Sequence, residues 1–136
     1  MVKHPLPLMG NGAERYVYVH PDDSSLVVKI LKDKKEEDNR LSIFQNANNI
    51  EWFIWETFPD LRKWLVPCVD MTLDGKQLIM KRGRPITPVQ GKSIKVPSCF
   101  VDHKTKNCIQ IDGKILVCDY GCVGVLKKLG VKYETN

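Results

Sequence analysis

Apolar positions along this chain change period several times, and each change marks an element. Tyr16 to Val19 is an aromatic and β-branched run, which predicts a strand. The cluster Pro21-Asp22-Asp23-Ser24 predicts a turn, and Leu26 to Leu31 (LVVKIL) predicts a second strand that closes a hairpin with the first. Lys29 is the single polar residue of that second strand. From about Glu36 to Phe58 the spacing becomes helical. With Leu41 as zero and ~100° per residue, Leu41, Phe44, Ala47, Ile54, Trp55 and Phe58 share one broad stripe. Glu51 falls near the middle of it, at roughly 280° on the same step, while Glu56 lies well off it. A carboxylate on an apolar face is costly unless paired. Lys29, on a strand against which the helix would pack, is the nearby cation; the alternative is an offset helix with Glu51 in solvent.

Pro59 ends the helix. Trp64 to Met71 and Gln77 to Lys81 predict strands joined by Leu73-Asp74-Gly75-Lys76, an Asp-Gly hairpin turn. Lys81-Arg82-Gly83-Arg84-Pro85 breaks regular structure. Residues 86–98, with Pro88, Gly91 and Pro97, predict a loop or short irregular elements. Cys108 to Ile111 and Lys114 to Cys118 predict another hairpin across Asp112-Gly113, and Val123 to Leu129 is a short apolar segment. Near the start, Met9-Gly10-Asn11-Gly12-Ala13 reads as a Gly-rich turn. There are no internal repeats and no low-complexity tracts.

Size narrows the picture: 136 residues suit one domain, or one domain with two small lobes. Hydrophobic content of 43% and charged content of 27% are those of an ordinary globular protein. No apolar run approaches the ~20 residues that span a bilayer, and the segment MVKHPLPLMG lacks a secretory h-region. A cytoplasmic location is expected. The five cysteines, Cys68, Cys99, Cys108, Cys118 and Cys122, form an odd set without a signal peptide, which argues for thiols rather than a disulfide framework. Cys118 and Cys122 are four apart with no CxxC or HxxxH partner pair, a poor zinc pattern. The formal net charge of +5 and pI of about 9.0 raise the question of nucleic acid. The charge is scattered, however. Lys32 to Lys35 run directly into Glu36, Glu37 and Asp38, and Lys92, Lys95, Lys104 and Lys106 form only a loose group. Nucleic acid is the weaker expectation, and a small anion such as a nucleotide fits the balance equally well.

The candidate chemistry lies in the last third. Asp102-His103-Lys104-Thr105-Lys106-Asn107 places a Lys two residues and an Asn five residues after an Asp, and Asp119-Tyr120-Gly121 follows the apolar run of the last hairpin. Base, magnesium ligand and second magnesium ligand thus occur in the order of phosphoryl-transfer chemistry. Taken singly, these residues are equally at home as turn residues, as a helix cap or, for Lys29, as a snorkelling strand lysine.

Together the pattern resembles the protein kinase-like superfamily over about residues 8–121. Gly10-Asn11-Gly12-Ala13-Glu14-Arg15-Tyr16-Val17 resembles the Gly-rich loop with its following Val, with Arg15 in place of the third glycine. Val28-Lys29-Ile30 resembles the strand whose lysine holds the α and β phosphates, and Glu51 the helix glutamate that pairs with it. LIMKRG resembles the last strand and hinge, with Met80 as gatekeeper and backbone groups from Lys81 to Gly83 meeting the adenine. The resemblance implies Asp102 as catalytic base, Lys104 steadying the γ phosphate, and Asn107 and Asp119 as magnesium ligands. Phe100-Val101 stands where a His-Arg usually precedes the base, which implies no phosphorylation-controlled loop, and Tyr120 replaces the usual Phe.

The expected fold class is α+β: a kinase-like N-lobe of antiparallel strands with one long helix, and a strongly reduced second lobe carrying the catalytic loop and the Asp-Tyr-Gly hairpin. About 1–81 would be N-lobe-like, 82–86 hinge-like and 87–136 the reduced second lobe. Only 16 residues (86–101) separate Pro85 from Asp102, too few for a helical lobe, and 15 follow Gly121. Short kinase-like proteins encoded by bacteria and their phages are similar, which would place the chain in a host cytoplasm. Two readings stay open: a minimal phosphotransferase using ATP and Mg2+ on a protein or other hydroxyl acceptor, or a pseudokinase-like module acting on a protein partner. Trp52, Trp55 and Trp64 suggest a contact surface for the second. A homodimer could rebuild the missing lobe.

Overall fold

A computed structural model describes residues 8–12, 14–32, 46–92, 94–100 and 107–131. The architecture is mixed α+β, with two antiparallel sheets and a few short helices. Strands β1 (Leu8–Asn11), β2 (Arg15–Val19) and β3 (Leu26–Leu31) form a meander, and β4 (Cys68–Met71) and β5 (Gln77–Lys81) complete a five-stranded sheet of order β1-β2-β3-β5-β4. Between β3 and β4 in sequence comes helix α1 (Ala47–Thr57). The second sheet has the order β6-β7-β8, from Arg84–Pro85, Cys108–Ile111 and Lys114–Val117.

Local sequence explains the element ends. Asn46 caps α1 by accepting the Asn49 N–H at 2.8 Å, and the chain leaves the helix at Phe58 into a 3₁₀ turn that begins with Pro59. Ala47, Asn48, Ile50, Glu51 and Ile54 form its buried face. The β7–β8 hairpin turns on Asp112 (φ 49°) and Gly113 (φ 79°), the two left-handed residues that suit strand twist. In the β4–β5 turn Gly75 has φ 73°, and a Cβ there would lie 2.5 Å from Asn49 Oδ1.

One apolar core runs through both sheets: Ile50 and Ile54 of α1, Leu78 and Met80 of β5, and Leu116, Val117, Tyr120 and Leu126 of the second part belong to it. The sheets are stitched where Leu65 bridges Val117 in parallel and the Val66 N–H donates to the Val117 carbonyl at 2.9 Å.

Several expectations need correction. The helix is described from Ala47, and the earlier stretch from Glu36, with Leu41 and Phe44, lies outside the described residues. The Gly-rich turn is shorter than expected, because Gly10 and Asn11 pair with β2 as strand, with an irregularity at Met9. The stretch from Trp64 to Met71 becomes strand only at Cys68, since Pro59 to Trp64 coil as 3₁₀. Arg84–Pro85 forms a short strand on β7 where a break was expected. A turn of helix, α2 (Pro88–Lys92), occupies the expected loop, and the last apolar segment is helix α3 (Val123–Lys128). Trp55 is half-buried and packs against the core, with the Arg62 guanidinium 4.6 Å from its ring centre. Among the described residues, no helix is long and apolar enough to cross a membrane.

Candidate functional site

A cleft of about 900 Å³ is lined from both sheets. Gly10 borders it from β1 and Gly12 from the β1–β2 turn, Val17 and Lys29 from β2 and β3, and Met80, Lys81 and Gly83 from the end of β5 onward. Asn107 and Asp119, which flank the β7–β8 hairpin, line the other side. They are brought close by that hairpin, in which the Cys118 N–H donates to the Asn107 carbonyl at 2.8 Å. Asp102 and Lys104 lie outside the described residues.

Glu51 is fully buried beside the cleft. Its Oε1 accepts the Lys29 ammonium at 2.9 Å, so the strand lysine and helix glutamate meet across 22 residues of sequence. The Lys29 ammonium also donates to the Cys118 carbonyl, tying β3 to the second sheet. The backbone N–H groups of Tyr120 and Gly121 both donate to Glu51 Oε2 at 2.9 Å. Burial raises the pKa of an isolated carboxyl. Here Arg15 and Lys29 override that effect by charge and hydrogen bonding and hold Glu51 down at about 2.

Arg15 is the participant that sequence reasoning missed. It stands where the resembled pattern has its third glycine, and that departure was the available signal. It is 7% exposed despite its charge. Nη1 donates to Glu51 Oε1 at 2.7 Å and to Asn48 Oδ1 at 3.2 Å. Nη2 donates to Glu51 Oε2 at 3.0 Å and to Asp119 Oδ1 at 3.0 Å. Burial alone would lower the guanidinium pKa, but Glu51 and then Asp119 raise it, so the charge is permanent. Two cations and two carboxylates make a cluster without net charge. Asn48 is a second missed residue. It is fully buried, and its amide donates to the carbonyls of Lys29, Gly75 and Lys76, fixing α1 on β3 and the β4–β5 turn.

The Asp119 side chain is 54% exposed, with one oxygen on Arg15. Asp119 and Asn107 supply a carboxylate and an amide, oxygen donors of the kind a hard cation takes. Among the described residues no group of three His, Cys, Asp or Glu side chains could hold an ion unaided. A pair such as Asp119 and Asn107 fits a hard cation whose remaining coordination sites are filled by water or by other oxygen ligands.

Much of the remaining lining is apolar, with Glu14, Arg15 and Arg82 as its charged members. Val17, Val27, Val66, Met80, Ile86 and Val117 surround the cleft, a suitable environment for a flat heteroaromatic ring. Gly83 is needed at its rim, since a Cβ would lie 2.7 Å from the Gln110 carbonyl oxygen. The buried Tyr120 hydroxyl donates to the Val66 carbonyl at 3.0 Å and lies 3.3 Å from Cys68 Sγ. The five cysteines are free thiols. Burial pushes Cys68 up to about 12 and Cys118 up to about 11. In comparisons with known proteins, no family model and no curated protein matches the chain.

Proposed function

We propose that the chain is a minimal kinase-like protein that binds ATP with Mg2+ and transfers the γ-phosphoryl group to a hydroxyl acceptor. The observation that carries this reading is the buried Lys29–Glu51 pair at 2.9 Å, beside a cleft that Gly12, Met80, Asn107 and Asp119 also line. The order β1-β2-β3-β5-β4, with α1 between β3 and β4, supports a kinase-like N-lobe.

In this reading the apolar walls take the nucleobase and the hinge backbone from Lys81 to Gly83 meets its edge. Lys29, held by Glu51, reaches the α and β phosphates while Gly10 and Gly12 lie over them. Asn107 and Asp119 would hold magnesium, which when bound neutralises charge on the phosphates. Asp102 accepts the proton of the attacking hydroxyl and Lys104 steadies the transferred group. Most of the rate comes from positioning and charge.

The test is a thermal melt with ATP and Mg2+. Binding raises the melting temperature by several degrees at saturating ligand, and Lys29→Ala abolishes the rise. A folded protein with no rise refutes nucleotide binding. Transfer of labelled γ-phosphate, lost in Asp119→Asn, then establishes catalysis.

A second reading is favoured by one contact, the engagement of Asp119 by Arg15. A pseudokinase-like module would keep the nucleotide cleft and act on a protein partner without transfer. Nucleotide binding with no phosphate transferred to the protein or to a cell extract decides for it.

A further inference from the structure

The kinase-like pattern calls for a glycine where Arg15 stands, so the function proposed above gives this guanidinium no task. Its placement gives it one. Arg15 Nη2 lies 3.0 Å from Asp119 Oδ1, the carboxylate that faces the cleft. Arg15 cannot step aside cheaply, because Glu51 takes two of its N–H groups and Asn48 another, all buried. Leaving would strand a fully buried carboxylate with Lys29 as its one remaining cation among the described residues.

A divalent cation on Asp119 would therefore share the carboxylate with a fixed positive charge at hydrogen-bond distance. Like charges at such range repel strongly in a partly buried site. Glu51 offsets one of the two cations, Arg15 and Lys29, so a single positive charge is left beside Asp119. The phosphates of a nucleotide bring the negative charge that a divalent cation added to Asp119 would need. We infer that Arg15 is a resident counter-ion that bars a bare divalent cation from Asp119 and admits it only with polyphosphate. The inference rests on the nucleotide reading, and it makes metal and nucleotide arrive as one unit.

The experiment uses Mn2+ without nucleotide, followed by the electron paramagnetic resonance of the free ion. Arg15→Gln is expected to bind Mn2+ at least about tenfold more tightly than the wild type, a difference readily resolved in dissociation constants. Adding Asp119→Asn to Arg15→Gln removes the gain. Equal affinity of wild type and Arg15→Gln, or no Mn2+ binding by either, overturns the inference. Because this comparison needs no ATP, it fails independently of the thermal-melt test. Should Arg15→Gln not fold, the wild type answers through the carboxyl carbon resonance of Asp119. That signal stays unshifted with millimolar Mg2+ alone and moves with Mg2+ and ATP. A shift with Mg2+ alone overturns the inference.

Discussion

Arg15 and Glu51 lie 36 residues apart and meet through two parallel hydrogen bonds of 2.7 and 3.0 Å, away from solvent. Such a fork-to-fork pair fixes both distance and angle between the strand β2 and the helix α1. Lys29 shares Oε1 with it, so one carboxylate organises three elements: β2, β3 and the Asp119-Tyr120-Gly121 segment.

The first prediction concerns acid. Glu51 is held at about 2 against an ordinary 4.5. Its stabilisation is therefore complete above pH 4.5 and is lost as pH falls toward 2. The melting temperature followed by circular dichroism should drop across that window. Glu51→Gln should lower it at neutral pH by about 10 °C, the consequence of leaving two buried cations underpaired. It should also flatten the acid drop. A Glu51→Gln protein with the wild-type acid profile would remove Glu51 from this role.

Two glycines should respond differently to alanine. A Cβ on Gly12 meets nothing closer than the Arg15 carbonyl oxygen at 3.7 Å, so Gly12→Ala should change stability by less than about 0.5 kcal/mol. A Cβ on Gly121 would lie 2.3 Å from the Ala47 carbonyl oxygen, so Gly121→Ala should cost about 2 kcal/mol or more. Urea unfolding of both variants checks the contrast, and equal effects would contradict the geometry.

Tyr120→Phe keeps the ring in the core but strands the Val66 carbonyl, which the hydroxyl satisfies at 3.0 Å. The expected loss is about 1–2 kcal/mol by chemical denaturation. A neutral or stabilising result would mean that the hydroxyl is idle.

Thiol labelling should be ordered. Cys122 is exposed at the cleft, whereas Cys68, Cys99 and Cys108 are buried, and burial pushes Cys68 up to about 12. Ellman's reagent at pH 8 should modify Cys122 first, and Cys68 only on unfolding. ATP with Mg2+ should slow the first reaction if the cleft is the nucleotide site. Rapid modification of Cys68 in the folded protein would contradict its placement.

The strands were legible where alternation and turn chemistry agreed: LVVKIL and QLIMK fall as expected, as do the turns at Asp74-Gly75 and Asp112-Gly113. Glu51 announced itself by sitting on an apolar stripe, and Lys29 by being the one polar residue of its strand. Arg15 and Asn48 did not. Both are polar groups that ordinarily face solvent, and their burial depends on partners 33 or more residues away in the case of Arg15 with Asn48, Glu51 and Asp119. Pairing across tertiary distance leaves no periodic trace. The short strand at Arg84–Pro85 was hidden for a similar reason, since it exists through its partner β7.

The close approach of Gly121 to Ala47 carries one more consequence. Where the backbone of the Asp119-Tyr120-Gly121 segment touches the first turn of α1, the missing Cβ lets the Gly121 backbone come directly against the Ala47 carbonyl. There is no cushion to absorb a tilt of the helix. Glu51 of the same helix also holds the Tyr120 and Gly121 N–H groups, so α1 and this segment meet both by direct contact and by hydrogen bonds.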